Sequence, residues 1–277
     1  MKQYDVRQCR VVRFEQLTAD VFSAWVEAGE LARAAVPGQF AQIFVPGKTL
    51  RRPISICAIE EDRLRFVFQI RGEGTAILAQ TKEGDSWDIL APLGHGFALG
   101  DTTRKVCFVG GGIGVPPLVA AAKPFGQNAT VVTGFRNKDA VILQEDFEKN
   151  GNQVILATDD GSAGHYGLVT ECLPEDCEAI FACGPTPMLR ALAAEGIGEQ
   201  KCHVCRAHRE QDDAVPPVER AVPVSETEQE RARREQGGKI EQKRALLHGK
   251  RADERGDAED EQDVGDVAPD DVADGDV

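Results

Sequence analysis

Every aromatic residue of this chain lies within its first 200 residues, and this distribution limits where a core can form. The sixteen Phe, Trp and Tyr side chains are absent from the last 77 of the 277 residues, of which only twelve are Phe, Ile, Leu or Val. Twelve in 77 is about 16%, below the ~20% under which a charged segment is typical of disorder. From Asp253 to Val277 twelve carboxylates accompany a single arginine, and their repulsion favours an extended chain. We therefore expect residues 201–277 to be a largely disordered acidic tail that the function does not require.

Charge and hydropathy exclude several classes of protein. The formal net charge of −14 does not suit a nucleic-acid-binding surface, which needs a basic stripe. No apolar run approaches the ~20 residues of a membrane span, and the charged N-terminal residues are unlike a signal peptide. Eight cysteines are too sparse for a disulfide framework. These features predict a cytoplasmic protein with neither a nucleic-acid nor a membrane partner.

Short strands dominate residues 1–100. A Pro-Gly turn at residue 37 precedes the alternating segment 40–45, and an acidic turn joins segment 54–59 to segment 64–70. Strands at intervals of 8–12 residues are typical of an antiparallel barrel or sandwich. A helix is expected after Gly72-Glu73-Gly74, with Thr75 as the residue that caps its start.

Residues 101–200 change to strands that alternate with helices. Segment 105–109 has the composition of a buried strand and runs into the glycine run 110–114, after which two prolines suit the first turn of a helix. Further strands are predicted at 130–135, 153–158 and 179–183, and further helices around 140–149 and 187–195. This order predicts a parallel sheet with helices on both faces.

Two motifs in the first hundred residues are suited to an anion. Arg52, in the segment Arg-Arg-Pro-Ile-Ser, can pair with a phosphate through its fork of donors, and Ser55 can present a hydroxyl to a flat ring. The helix start at Gly74 and Thr75 offers free backbone N–H groups. Alone, each has an ordinary alternative, a surface arginine pair and a glycine turn, but together they favour a diphosphate such as that of FAD.

Two more motifs follow strands of the second hundred residues. The glycine run 110–114 lies between a strand and a helix, where backbone can approach a pyrophosphate, although its spacing is not the common dinucleotide fingerprint and a structural tight turn is the alternative. Cys183-Gly184-Pro185 ends the last strand, where ligands gather in open α/β sheets. Since the histidines before residue 200, His95 and His165, lie away from these motifs in the sequence, we interpret Cys183 as a buried thiol beside a ligand rather than a nucleophile.

The segment Cys202-x-x-Cys205, with His203 and His208, is superficially similar to a zinc site. A structural zinc site needs a second pair of ligands held by a fold, and the surrounding composition is typical of disorder. We therefore assign no metal to Cys202 and Cys205.

Five motifs in one order carry a resemblance that spans residues 1 to about 200. These are segments 52–55, 72–75, 92–97, 110–114 and 183–185, and together they resemble the ferredoxin–NADP reductase superfamily. Within it, the chain is most similar to the electron-transfer subunits of NAD-dependent dihydroorotate dehydrogenases of the B type, which it also resembles at Thr158–Ser162, Gly164 and Gly167. The resemblance implies an FAD-binding β-barrel at residues 1–100 and an NAD-binding α/β domain at residues 101–200.

The resemblance also implies roles for individual residues. Arg52, Gly74 and Thr75 would hold the FAD pyrophosphate, and Ser55, in one motif with Pro53 and Ile54, would lie near the flavin N5. The remaining positions would line the flavin or its ribityl chain (Val67, Phe68, Gln69), the floor of the nicotinamide-nucleotide site (Gly110, Gly111, Gly112, Gly114) and the nicotinamide itself (Cys183, Gly184). Asp159, followed by Asp160, would lie at the adenosine ribose and favour NADH over NADPH, with Arg136 as an opposing charge.

The implied function is that of a flavoprotein subunit in pyrimidine biosynthesis. It would be an NADH-dependent oxidoreductase that passes electrons between NAD(H) and a catalytic dihydroorotate dehydrogenase subunit through FAD. Two alternatives stay open: a stand-alone NAD(P)H-dependent flavin or ferredoxin reductase, and a non-catalytic protein whose acidic tail binds a basic partner.

The chain departs from the family after residue 200. The family carries a [2Fe–2S] cluster there, which needs four thiolates, whereas only Cys202 and Cys205 follow Cys183. We therefore expect no cluster in this chain. Translation of the tail in a shifted reading frame is a hypothesis that accounts for the abrupt change, and translation of the gene in all three frames tests it.

Overall fold

The computed structural model of the chain describes residues 4–194 and 201–204. Residues 5–93 form a closed antiparallel barrel in the order β1-β2-β5-β4-β3-β6. Its strands are β1 (Asp5–Gln16), β2 (Val21–Glu27), β3 (Phe40–Ile43), β4 (Arg52–Ile59), β5 (Arg63–Gln69) and β6 (Ser86–Leu93), and its helices are α1 (Glu30–Ala34) and α2 (Glu73–Leu78). Closure leaves no strand edge unpaired. The structure confirms the barrel that the spacing of the strands predicts.

Alternation along the strands determines which side chains fill the barrel. Phe66 and Phe68 of β5 lie in the barrel core together with Trp87 of β6, whose ring contacts both phenylalanine rings. Val67, between the two phenylalanines, faces outward and belongs to a second core. Both faces of β5 are therefore buried, each in a different cluster.

A six-stranded parallel sheet follows, in the order β10-β9-β8-β7-β11-β12. Its strands are β7 (Val106–Gly111), β8 (Ala129–Phe135), β9 (Gln153–Thr158), β10 (His165–Tyr166), β11 (Ala179–Cys183) and β12 (Lys201–Val204), and its helices are α3 (Pro116–Ala122), α4 (Gln144–Lys149) and α5 (Thr186–Ala194). Phe108 of β7 lies in one core with α3 and α4, whereas its neighbours Cys107 and Val109 lie in another core with α5. Helices thus cover both faces, which confirms the predicted α/β class.

The strand β12 lies beyond residue 200, at the start of the segment predicted to be disordered. It pairs in parallel with β11, with Lys201 opposite Ala179 and Val204 opposite Ala182. The division at residue 200 stays a prediction, and the rest of that segment lies outside the described residues.

Two predicted helices begin elsewhere than expected. The helix α2 starts at Glu73, so Thr75 is its third residue rather than its cap, although its hydroxyl still bonds to the backbone before the helix. The helix predicted around 140–149 is reduced to α4, because Leu143 takes a left-handed backbone conformation with φ of 65°. A left-handed residue interrupts helical hydrogen bonding.

Candidate functional site

Strand β4 displays the predicted anion-binding arginine and the serine at one end of the barrel. Ile54 and Ile56 face the barrel core, so Pro53, Ser55 and Cys57 face outward. Cys57 is fully buried in the core that contains α3, whereas Ser55 is half-buried, and no other described residue hydrogen-bonds its hydroxyl. Ser55 thus lies on the outer face of β4, next to the part of that face that the α/β domain covers.

Arg52 covers the start of α2. A Cβ atom built on Gly74 would lie 2.2 Å from Nε of Arg52 and 2.6 Å from its Cζ, so a side chain at this position would displace the guanidinium from its present place. Nη1 of Arg52 donates to the carbonyl oxygen of Leu50 at 2.7 Å, and no carboxylate among the described residues pairs with Arg52. The two predicted anion-binding motifs are therefore in direct contact, with a guanidinium that remains able to bind phosphate.

The hydroxyl of Thr75 shapes this loop. It accepts hydrogen bonds from the backbone N–H groups of Arg71 at 2.8 Å and Gly72 at 3.3 Å, and it donates to the carbonyl oxygen of Gly72. Its side chain is almost completely buried. Thr75 therefore fixes the shape of the loop before α2, and the direct contact with a pyrophosphate stays a prediction.

Strand β5 contributes backbone rather than side chains to this end of the barrel. Val67 and Phe68 are buried in two different cores, and Nε2 of Gln69 donates to a carboxylate oxygen of Asp20 at 2.6 Å. These side chains are engaged elsewhere, so the predicted contact of the three residues with a flavin would be made mainly by their backbone atoms.

The glycine run 110–114 meets the end of β11 at the carboxyl edge of the sheet. A Cβ on Gly114 would lie 2.3 Å from the carbonyl oxygen of Cys183, and one on Gly184 would lie 3.0 Å from the backbone nitrogen of Gly111. Gly112 has a φ of 52°, and a Cβ there would meet nothing within 4 Å. Two loops thus approach each other backbone to backbone, with an open face at Gly112.

The strand order makes this meeting point significant. The chain winds from β7 outward to β10 and then returns to β11, on the other side of β7. In open α/β sheets, ligands bind where the winding reverses, at the carboxyl ends of the two strands. The sequence-predicted nucleotide residues Gly110, Gly111, Gly112, Gly114, Cys183 and Gly184 all lie at this switch point.

Asp159 lies at the same edge of the sheet, two strands away. Its backbone N–H donates to the carbonyl oxygen of Phe135 at 3.0 Å, and its side chain is exposed. The next carboxylate, Asp160, accepts from the hydroxyl of Ser162 at 2.6 Å and from its N–H at 2.9 Å. These hydrogen bonds lower the pKa of Asp160. Asp160 therefore stabilises the turn, and Asp159 is the carboxylate that remains available to a ligand.

Arg136 follows β8 as Asp159 follows β9. The last residues of these strands, Phe135 and Thr158, are directly paired, so the two charged residues come next in register. Arg136 is exposed and forms no ion pair with the described carboxylates. It therefore remains an opposing charge near Asp159.

Two residues of the site were not identified individually from the sequence. The thioether of Met188, in α5, is in contact distance of Gly111 and Gly184. The ring of Phe97 contacts the barrel loop at Gly38 and lies edge-on to Phe181 of β11, with ring centroids 5.8 Å apart. Phe97 belongs to segment 92–97 and Met188 follows segment 183–185, but only the fold shows that Phe97 joins the barrel to the sheet.

The described cysteines and histidines do not fit a metal site. In residues 4–194 and 201–204, no three His, Cys, Asp or Glu side chains are grouped as metal ligands. Cys202 lies in β12, and Cys205 and His208 lie outside the described residues. Residues 4–194 and 201–204 thus offer no set of four thiolates for a [2Fe–2S] cluster, and we derive no electron-transfer step through one. Within the same residues, no helix has the length and apolar character that crossing a membrane requires.

Curated proteins of one kind are similar to this chain. It is 36% identical over 205 residues to the electron transfer subunit of dihydroorotate dehydrogenase B (NAD(+)) from Geobacillus sp. (strain WCH70), which covers 69% of this chain and 78% of that protein. The corresponding subunit from Streptococcus mutans is 39% identical over 232 residues, covering 74% of this chain and 89% of that protein. A scan against protein-family models gave no match.

Solved structures share the fold. An NADH-dependent reduced ferredoxin–NADP oxidoreductase, described for flavin-based electron bifurcation, aligns with a TM-score of 0.64 and 29% identity over 72% of this chain and 75% of that one. The ferredoxin reductase of carbazole 1,9a-dioxygenase aligns with a TM-score of 0.61 over 73% of this chain and 69% of that one, and its 21% identity supports the fold alone.

Proposed function

Because the chain belongs to the family of electron transfer subunits of NAD-dependent dihydroorotate dehydrogenase B, we propose that it is a flavoprotein that passes electrons between NAD(H) and a separate dihydroorotate dehydrogenase subunit. Membership of this family confirms the resemblance that the five motifs predict. FAD at the barrel and NAD(H) at the switch point of the sheet are the cofactors of this proposal.

One structural observation carries the proposal. The helix α3 begins two residues after the glycine run 110–114 and packs against β4, the strand that carries Arg52 and Ser55. The candidate nucleotide loop and the candidate flavin strand are thus joined by a single packed helix. An enzyme that moves electrons between a nicotinamide and a flavin needs these two sites side by side.

The residues of both sites fit diphosphate groups. At the barrel, Arg52 supplies a guanidinium over the glycine start of α2, which suits the pyrophosphate of FAD. At the switch point, the glycines allow the backbone to approach the nucleotide closely, and Gly112 leaves its face open. When bound, FAD accepts a hydride from NADH and releases electrons one at a time.

The chain's own contribution is to bind and orient. Arg52 binds phosphate, the half-buried hydroxyl of Ser55 contacts the flavin edge, and the Phe97–Phe181 contact joins the barrel to the sheet. Hydride transfer needs no proton-transfer residue. Cys183 is buried in the apolar core, and the proposal gives its thiol no part in proton transfer.

A stand-alone reductase is the second candidate function. Its support is the similarity to the NADH-dependent reduced ferredoxin–NADP oxidoreductase, together with a set of cysteines that does not fit the family's cluster. The two candidates differ in whether a catalytic subunit associates with this chain and receives its electrons.

The test uses the full chain, alone and together with a separately purified catalytic subunit of dihydroorotate dehydrogenase B from Streptococcus mutans. We expect the chain to be yellow, to release FAD on denaturation and to have its flavin bleached anaerobically by NADH. We expect the mixture, and neither protein alone, to reduce NAD⁺ with dihydroorotate. A colourless chain that takes up no FAD would contradict the proposal, and NADH oxidation without any coupling to the catalytic subunit would favour the stand-alone reductase. The cytoplasmic location stays a prediction.

A further inference from the structure

The barrel and the sheet share one apolar core. Val21, Cys57 and Val67, on the outer face of the barrel, belong to the same buried cluster as Leu118 of α3 and Phe147 of α4. Apolar contacts are non-directional, so this core holds the two parts together but does not by itself select one relative orientation.

An ion pair between a buried arginine and a half-buried aspartate crosses the same boundary. Nη1 of Arg65, in β5, lies 2.5 Å from Oδ1 of Asp146, in α4. Arg65 is 6% exposed. Its Nε donates to the hydroxyl of Ser23 at 2.9 Å, and its guanidinium lies 5.7 Å from the ring centroid of Trp25. Arg65 is thus held against the barrel through its Nε and the Trp25 ring, and it reaches Asp146 of the α/β domain through Nη1.

The pair stands at an open part of the boundary. A cavity of about 450 Å³ lies here, lined on the barrel side by Arg13, Trp25 and Arg65 and on the sheet side by residues 141–146 and Lys149. The cavity lies beside the shared apolar core, to which Ile142 and Leu143 of its lining belong. The Arg65–Asp146 pair adds a directional contact across the boundary at this point.

The position of Asp146 is itself fixed within the α/β domain. The residue before α4, Leu143, is buried in a left-handed conformation, and Nε2 of Gln144 donates to the hydroxyl of the fully buried Thr133 of β8 at 2.9 Å. These contacts anchor the start of α4 to β8, so Arg65 is paired with a helix that is itself attached to the sheet.

We infer that Arg65 and Asp146 are positioning residues, which set the distance and tilt between the flavin site and the nicotinamide site. This inference rests on the proposed function. Arg65 lies two residues before the segment 67–69 on β5, and α4 follows β8, the neighbour of the strand that carries the glycine run. Arg65 thus belongs to a strand of the flavin site, and Asp146 belongs to a helix beside the nicotinamide site. A misplacement of about 1 Å between reacting groups can lower a rate ~100-fold.

The main experiment compares Asp146→Asn with the wild-type full chain loaded with FAD. We expect the limiting rate of flavin reduction at saturating NADH to fall roughly tenfold, with unchanged FAD content and a KM for NADH within about twofold. The long-wavelength absorption of nicotinamide stacked on flavin should weaken in parallel. Asp146→Glu keeps the carboxylate and should recover part of both signals. Glu145→Gln is the matched control, since Glu145 lies on the same helix and its exposed partner Lys149 is on α4 as well.

A second measurement uses the protein without cofactor. Trp25 and Trp87 are the two tryptophans of the chain, so Trp87→Phe leaves Trp25, beside Arg65, as the fluorescent reporter. In this background Asp146→Asn should increase quenching of Trp25 by acrylamide, because the boundary opens, and Glu145→Gln should not.

The outcomes separate this inference from the proposed function. If wild-type protein binds FAD and Asp146→Asn reduces it at the wild-type rate with the same absorption band, the inference is wrong and the proposed function stands. An equal loss in Glu145→Gln would also overturn the inference. If wild-type protein takes up no FAD, the proposed function is wrong, and this inference with it.

Discussion

Gly114 approaches Cys183 so closely that a Cβ atom on Gly114 would lie 2.3 Å from the carbonyl oxygen of Cys183 and 2.6 Å from its carbonyl carbon. Both atoms belong to the backbone, so no side-chain rotation can relieve the contact. Glycine is required here because the first and last βα connections of the sheet meet at this point, where we propose that the nicotinamide nucleotide binds.

Gly114→Ala should therefore destabilise the chain and impair the nucleotide site together. We expect a loss of about 1–3 kcal/mol in the free energy of unfolding, as for other overpacked buried positions, and a much weaker affinity for NADH, since the two loops must separate. FAD content should be retained, because the flavin site lies on the barrel. Urea unfolding, FAD content and NADH titration measure the three quantities, and an unchanged midpoint of unfolding would show that the loops are not in contact.

Gly112 and Gly126 allow a test of the open face of the nucleotide loop. Their φ angles are 52° and 50°, and a Cβ at either position meets nothing within 4 Å. Alanine should destabilise the chain at both positions, by about 1–3 kcal/mol, because a positive φ is strained for any residue with a Cβ, and Gly126 also has a ψ of −125°. Only Gly112→Ala should weaken NADH binding, by at least severalfold, because its methyl group would occupy the space that the nucleotide enters. Equal NADH affinities in the two variants would argue against nucleotide binding at Gly112.

The barrel was predictable from the sequence because most of its strands alternate. Strand β6 is an exception, since the apolar Leu90 and the proline Pro92 occupy outward positions, and the sequence analysis assigns no strand there. In the structure, Trp87, Ile89 and Ala91 supply the inward-facing set. This segment forms a strand because it pairs with β1 and β3. A local sequence pattern does not show such long-range pairing.

The candidate site was predictable as a set of loops but not as a set of contacts. The glycine run was recognised between a strand and a helix. The close approach of Gly114 to the backbone of Cys183, however, joins two segments that are about 70 residues apart in the chain. The Arg65–Asp146 pair joins residues that are 81 positions apart, and Arg65 looks in the sequence like any polar residue of an alternating strand. Val67 and Phe68 show the same limit, because apolar residues on both faces of β5 do not reveal which core each face meets.

Arg52→Ala should reduce the retention of FAD. Loss of a charge-assisted contact to a buried phosphate is worth about 1.5–3 kcal/mol, or roughly a 10- to 150-fold lower affinity. Arg63→Ala is the control, since Arg63 is an exposed arginine at the opposite end of the paired strands β4 and β5. Flavin content after dialysis measures the effect. The assignment of Arg52 would be wrong if both variants kept the same amount of FAD.

Cys57 should make stability depend on alkaline pH. Burial raises the pKa of its thiol to about 12, with Arg65 opposing and Asp146 reinforcing the increase, whereas the unfolded thiol has the ordinary value of 9.0. The folded state therefore holds the proton more tightly, so its contribution to stability is complete below pH 9 and is lost as the pH rises towards 12. The slope from one such group is about 1.4 kcal/mol per pH unit.

The measurement for Cys57 is urea unfolding between pH 8 and pH 11 with a reductant present. Cys57→Ala should be less stable than wild type at pH 8, because it leaves a cavity, but it should lose less stability as the pH rises. Cys172→Ala, at a partly exposed thiol, should follow the wild-type slope more closely. Parallel curves for wild type and Cys57→Ala would contradict the raised pKa.

Asp159 should determine the choice between NADH and NADPH. The adenosine ribose of NADPH carries a 2′-phosphate, which an exposed carboxylate repels and which arginine or serine accommodates. Asp160 is bound to Ser162 and keeps the turn in shape, so Asp159 is the group that faces the ligand. We expect a preference for NADH of tenfold or more in kcat/KM, since ~1.4 kcal/mol of unfavourable charge contact is sufficient.

Asp159→Ser alone should narrow this preference, and Asp159→Ser with Asp160→Arg should narrow it further, with Arg136 then adding to the attraction. Asp160→Asn is the control, because it changes the turn and leaves Asp159 in place. Diaphorase rates with each nucleotide decide the matter: an equal or higher kcat/KM with NADPH in the wild-type protein would overturn the assignment of Asp159.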